Sequence, residues 1–285
     1  MKKITSNQPI TRAAFTLLEL LAVITIISIL LALILPAIGG AMRNARNAEV
    51  TAEFTRITTA ITSFKSENGG IEPWSVIVLS ESGSSWGTES RTRIRRIWPQ
   101  YNFSLAQDFN GDGDTTDDIT LTASECLVFF LGGMQTSVSP PTLIGFSKNP
   151  VNPFNLTGEN RTFPYEFKPG QLVDTDGDGM LEYMDSLPGQ STPLLYVSSN
   201  NGQGYSKSNG SLNYYVQADG KTPWNKNTFQ LISPGDDAQF GFDPAPNPFD
   251  STGSGTDSRP RYADDFDVPN EQRDNITNFS SGTLN

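Results

Sequence analysis

Twenty-one consecutive residues near the N-terminus, Phe15 to Leu35 (FTLLELLAVITIISILLALIL), carry a single charge, Glu19. At about 1.5 Å per residue, a helix of that length crosses a hydrocarbon core of about 30 Å. The segment before it, residues 1–14 (MKKITSNQPITRAA), is short, polar and cationic. The apolar run is longer than an ordinary secretory h-region, and no small-x-small cleavage site follows it at once. Lys and Arg precede the span and do not return until Arg43. The leader is therefore expected to stay cytoplasmic and the C-terminal bulk to be exported.

Glu19 is the anomaly in this run. A carboxylate near the start of a membrane helix is expensive and needs a partner or a reason. It either snorkels to the interface or meets a cation inside an assembly, such as the free amine of a neighbouring subunit.

The rest of the chain has another character. Of 285 residues, 20 are Lys or Arg and 31 are Asp or Glu, a net charge of −11. Residues 1–70 are net +3 and the remainder net −14, which implies two regions with different partners. Such a chain is not a general nucleic-acid binder, because phosphate neutralisation needs surplus Lys and Arg. Its one basic cluster, Arg91, Arg93, Arg95 and Arg96 beside Trp98 and Tyr101, is expected to be a salt-bridged face, and no nucleic-acid partner is expected. There is no histidine, which removes His-based acid–base and nucleophile chemistry and His-ligated metals. The single Cys126 can form neither an internal disulfide nor a multi-Cys metal site and is expected in the core. Paired carboxylates abound, but they have metal-loop spacing rather than the cleft a glycosidase needs, so an enzyme is not expected.

Beyond Pro36 the helical pattern resumes. Val50, Phe54, Ile57, Ile61 and Phe64 recur at steps of four and three, one apolar face of an amphipathic helix that Asn68-Gly69-Gly70 ends. From residue 70 onward, short β-like runs (75–79, 194–197, 213–216 and 228–232) alternate with Gly, Pro, Asn and Asp clusters. Leu121 to Leu131 reads as a short buried helix, with a Ser or Thr cap and closure at Gly132-Gly133. Trp74, Trp86, Trp98 and Trp224 could line a ligand surface or lie in the core. The expected fold is α+β. A long N-terminal helix, membrane-spanning in its first half and amphipathic in its second, packs on a small antiparallel sheet with large calcium-stabilised loops.

Two acidic segments have the spacing of calcium loops. In Asp174-Thr-Asp176-Gly-Asp178-Gly179-Met180-Leu-Glu182-Tyr-Met-Asp185, oxygen ligands stand at positions 1, 3, 5, 9 and 12, with Gly at 6 and the Met180 carbonyl at 7. Carboxylates this close repel one another unless a divalent cation sits among them. Pro169-Gly170 and Pro188-Gly189 flank the loop, so it is not a helix–loop–helix sensor. The second segment, Asp108-Phe-Asn110-Gly-Asp112-Gly113-Asp114-Thr-Thr-Asp117-Asp118, matches positions 1, 3, 5 and 6, with its closing carboxylate at 10 or 11. Both are expected to hold structural Ca2+, which contributes folding free energy to loops with little core.

The run Arg12-Ala-Ala14-Phe15-Thr-Leu-Leu-Glu19-Leu, the apolar residues after it and Pro36 resemble, in register, the class III leader of type IV pilins and type II secretion pseudopilins. The resemblance implies prepilin peptidase cleavage between Ala14 and Phe15, N-methylation of Phe15, a charge role for Glu19, and a kink or local melting at Pro36. Ala14 stands where the family normally has Gly. The C-terminal run from Phe229 through Ser233-Pro-Gly235-Asp-Asp237 to Gly241, with Asp274-Asn275-Ile276-Thr277-Asn278-Phe279 later, resembles the calcium loop of major pseudopilins. Carried over, Asp237 and Asp274 or Asn275 would be side-chain ligands and Leu231 a carbonyl donor, with Asp264, Asp265 and Asp267 as rivals. The implied organisation is a leader (1–14), a membrane or filament-core helix (15–36), an amphipathic helix (37–69) and an extracytoplasmic domain (70–285) with an insertion at about 80–220. The implied protein is a single-pass subunit of the bacterial inner membrane, its C-terminal domain in the periplasm or outside. It would be methylated and assembled with other pilin or pseudopilin subunits on an inner-membrane platform, into a filament for protein secretion. A type IV pilus pilin and a membrane-anchored calcium-dependent adhesin are the alternatives.

Overall fold

The computed structural model describes residues 16–157, 165–205, 214–217, 222–240 and 274–280. The chain divides into two compact units, with the boundary between Ala45 and Arg46.

Helix α1, Leu17–Glu67, begins in the first unit and is 51 residues long. Every described residue from Thr16 to Ala45 is exposed, and the apolar part of this helix is long and hydrophobic enough to cross a membrane. The hydroxyls within the span are satisfied by the helix itself: Thr25 Oγ1 donates to Leu21 O at 2.8 Å and Ser28 Oγ to Ile24 O at 2.7 Å. α1 stays helical through Pro36, so the local melting that the resemblance allowed does not occur there. A ring nitrogen there deprives only the Ala32 carbonyl of its usual donor, and regular helix on both sides holds the conformation.

In the second unit, α1 buries Val50, Glu53, Phe54, Ile57, Ala60, Ile61 and Phe64, the expected stripe with Glu53 and Ala60 added. It ends at Glu67, and Gly69 and Gly70 carry the chain away at positive φ. The stripe enters a core shared with helix α3, Ala123–Gly132, where Phe64 meets Phe130 edge-on at 5.9 Å. Instead of one sheet there are four small antiparallel ones among the described residues. Strand β1 (Ile77–Ser80) pairs with β2 (Asp118–Leu121), β3 (Gln135–Val138) with β4 (Pro141–Leu143), and β5 (Leu172–Val173) with β6 (Glu182–Tyr183). The largest has β8 (Phe229–Ser233) between β7 (Leu195–Ser198) and β9 (Ile276–Thr277). Residue 213 of the run 213–216 lies outside the described residues, and Val216 makes only an isolated bridge to Pro223.

The segment read as an insertion supplies much of this core, including Leu121, Phe130, Phe154 and Tyr183. Cys126 is buried there as expected. The arginine cluster lies on helix α2, Thr88–Ile97, and packs on aromatic rings. The Arg93 guanidinium sits 5.1 Å from the Trp74 ring, and those of Arg91 and Arg95 sit 5.1 and 5.2 Å from Phe103. Trp74, Trp86 and Trp98 are buried, and Trp224 stacks on Phe279 at 5.3 Å.

Candidate functional site

The two acidic loops fold alike. In each, the first Asp spends both carboxylate oxygens on its own loop. Asp108 accepts from Gly111 N–H at 2.6 Å and Gly113 N–H at 3.1 Å, and Asp174 from Gly177 N–H at 2.7 Å and Gly179 N–H at 3.2 Å. All four glycines have positive φ, which lets the amides turn inward. The loops also touch. Asn110 Nδ2 donates to Asp178 O at 3.3 Å, and Gln135 Nε2 donates to Asn110 O and to Gly179 O. A Cβ on Gly179 would lie 2.9 Å from that of Asn110, so only glycine allows this approach.

The β1–β2 register builds the first cluster. Ser80 stands opposite Asp118, so the next pair outward is Glu81 and Asp117, joined by Glu81 N–H to Asp117 O at 2.9 Å. Carboxylate oxygens of Glu81, Asp112, Asp114 and Asp117 all lie within 4.8 Å of one another. Glu81 is fully buried; its Oε1 accepts from Phe109 N–H at 2.5 Å and Asn110 N–H at 3.4 Å. Its Oε2 is buried with no hydrogen-bond partner among the described residues. Burial raises the Glu81 carboxyl, and the Asp114 charge above all raises that of Asp117. Asp118 accepts from Ser85 Oγ at 2.9 Å, and it is Asp117 rather than Asp118 that joins the cluster.

The second cluster joins Asp176 and Asp178 to Glu125 of α3, again within 4.8 Å. Glu125 closes a capping box with Thr122, whose N–H donates to Oε2 at 2.6 Å, and Tyr183 N–H donates to Ser124 Oγ at 2.9 Å, which docks the β5–β6 hairpin on this helix start. Glu125 Oε1 is buried without a partner among the described residues. Burial, then the Asp178 charge, pushes the Glu125 carboxyl up to about 8. Met180 is buried, and its N–H donates to Asp178 Oδ1 at 2.8 Å. Glu182 reaches back to Thr175 N–H at 2.9 Å. Asp185 does not close this loop. It is buried elsewhere, accepting from Leu187 N–H at 2.8 Å, Gln190 Nε2 at 3.2 Å and Ser233 Oγ, because β6 ends two residues earlier and turns it under β8.

Sequence spacing alone points to neither Glu81 nor Glu125 as a member of these clusters. One signal was available for Glu125: an acid inside an apolar helix is as costly as Glu19 in its span and asks for the same explanation.

At the C-terminus the two halves of the third candidate meet. Asp237 N–H donates to Asp274 Oδ2 at 3.1 Å, and β8 pairs with β9. Asp274 Oδ1 and Asn275 Oδ1 are buried with no hydrogen-bond partner among the described residues, which suits a cation. The Leu231 carbonyl accepts from Asn278 N–H at 3.2 Å, as a strand edge does. Asp264, Asp265 and Asp267 lie outside the described residues.

Of the processing residues, Ala14 and Phe15 also lie outside the described residues. Glu19 caps its own helix: Thr16 N–H and Oγ1–H both donate to Glu19 Oε2 at 2.8 Å, and Glu19 N–H donates back to Thr16 Oγ1 at 3.2 Å. The isolated chain thus already gives this carboxylate a reason to stand at a helix start. Comparison of the chain with protein-family models, with curated proteins and with solved structures finds no match.

Proposed function

We propose that the chain is a pilin-like structural subunit, closest to the type II secretion pseudopilins. In this reading it is anchored in the bacterial inner membrane by α1, with the second unit exported. Prepilin peptidase cuts between Ala14 and Phe15, and the mature chain polymerises on an inner-membrane platform into a filament that supports secretion. The observation that carries the reading is the contrast along one helix: every described residue to Ala45 is exposed, although Leu20 to Leu35 has no charge and is almost wholly apolar, while from Val50 the same helix supplies a core stripe. An all-apolar helical surface is stable in lipid or among like helices, the two environments a pilin subunit exchanges.

The capping box supports the same reading. Both donors belong to Thr16, past the cut, so the box does not depend on the leader and fixes the Glu19 carboxylate at the start of the mature helix. In a filament of low dielectric, that carboxylate pairs with the amine of an adjacent subunit, and a wrong register leaves a costly unpaired charge. Asp237 and Asp274, with Asn275, are the residues that would hold the family's structural calcium. Bound there, the ion would tie the β8 end to β9.

Mass spectrometry of the native N-terminus tests the proposal. A chain beginning at methylated Phe15 is expected. An intact leader, or a cut after the apolar run, contradicts it.

A further inference from the structure

The geometry points to a pair of Ca2+ sites, each made by one acidic loop and closed from outside it, the first by Glu81 and the second by Glu125. Loop spacing alone does not establish such a site, since acidic turns are common without ions. The independent observation is on the two glutamates. Each is buried, Glu81 at 0 % and Glu125 at 1 % exposure, and each has one carboxylate oxygen engaged by backbone N–H and the other with no partner among the described residues. Both also offer an oxygen within 4.8 Å of the loop carboxylates they face. An unpaired buried carboxylate oxygen beside two or three further acids is strongly unfavourable unless a cation joins them.

The donor set selects the ion. All donors are carboxylates, with no His in the chain and its one Cys buried in the core, which disfavours zinc and the softer metals. Calcium bonds oxygen at about 2.3–2.6 Å, so ligands on opposite sides of one ion stand about 5 Å apart, compatible with the 4.8 Å limit on each cluster. Magnesium sits on one or two carboxylates and keeps its waters, whereas these clusters gather four and three carboxylates within 4.8 Å of one another. The proposal stands independently of how the chain is processed or assembled.

The test uses the full chain in detergent micelles, stripped with chelator and titrated calorimetrically with CaCl2 and, separately, MgCl2. Wild type is expected to take up Ca2+ and to gain melting temperature with it. Glu81→Gln and Glu125→Gln should each lose one ion or weaken its binding by at least about tenfold. In chelator both should melt no lower than wild type, because each removes a carboxyl that is costly to ionise where it is buried. The exposed Asp117→Asn and Asp176→Asn guard against misfolding as the cause: each should lose the same ion as its buried partner while melting like wild type in chelator. The proposal is overturned if wild type gains no stability from Ca2+, if these variants keep wild-type ion number and affinity, or if Mg2+ binds equally well.

Discussion

Tyr183 donates its hydroxyl hydrogen to Glu53 Oε1, although the two residues are 130 positions apart in the chain. Glu53 lies on the buried stripe of α1 and Tyr183 in β6, so this bond ties the second half of the long helix to the hairpin that carries an acidic loop. Tyr165 OH donates to the same oxygen at 3.2 Å, and Lys168 Nζ stands 3.7 Å from it. Burial first, and the Glu53 carboxylate next, hold the Tyr183 phenol far above its ordinary range. It therefore remains a donor wherever the protein is folded.

Tyr183→Phe should destabilise the fold by about 1.5–3 kcal/mol, the usual cost of losing a hydrogen bond to a buried charge. Tyr165→Phe should cost less, since that side chain is only partly buried. Denaturant midpoints of the two variants check this order; equal midpoints for Tyr183→Phe and wild type would remove the link.

Ion-free protein should lose stability as pH rises. Burial lifts the Asp185 carboxyl from 3.8 to about 6, and burial with the Asp178 charge lifts Glu125 from 4.5 to about 8. A carboxyl whose folded pKa exceeds its unfolded one binds more protons folded than unfolded across that interval. Its folded-state penalty is absent below about pH 4, grows between the two values and is complete above the folded pKa. Melting in chelator at pH 5 and pH 8 should therefore favour Glu125→Gln over wild type, by a margin that widens with pH. A constant margin would mean that Glu125 does not titrate in the fold.

Gly235→Ala should be costly. Gly235 has φ +73, and a Cβ there would meet Asp274 Cγ at 2.5 Å and the Asp274 carbonyl carbon at 2.7 Å. The left-handed backbone alone costs an alanine about 1–2 kcal/mol, and Asp274 cannot retreat without breaking its contact with Asp237 N–H. Thermal melting should fall and protease sensitivity near residues 274–280 should rise. An unchanged melt would contradict the close packing of these two segments.

Arg93→Lys should weaken the fold although it keeps the charge. The guanidinium donates to Val76 O and Glu89 Oε1 at once while lying over Trp74, and an ammonium cannot serve all three. A loss of about 1–3 kcal/mol is expected for the hydrogen bond and ring contact together. Arg96→Lys, at 5.9 Å from the same ring, is the control and should change little.

What could be read from sequence was local. The span and the stripe at 50, 54, 57, 61 and 64 follow from hydrophobic period, and all five stripe residues are buried. The capping box of α3 lies within four residues, and β1, β7 and β8 fall within one or two residues of the runs that announced them. Helix α2 escaped because TESRTRIRRI has only Ile94 and Ile97 as apolar anchors, and its face is completed by Arg93 against a tryptophan from another segment. The acidic loops were legible because their spacing is contained in a dozen residues. Glu81 and Glu125 were not, since strand register and the docking of a hairpin on a helix start bring them there.

Glu19→Gln is the most direct test of the central claim, that this carboxylate is neutralised by another copy of the chain. Glutamine keeps an oxygen to accept from Thr16 and so preserves the helix start, while removing the charge. Filament yield, measured beside N-terminal processing, should collapse in this variant although Phe15 is still exposed by cleavage. Normal filaments from an uncharged residue 19 would contradict the account.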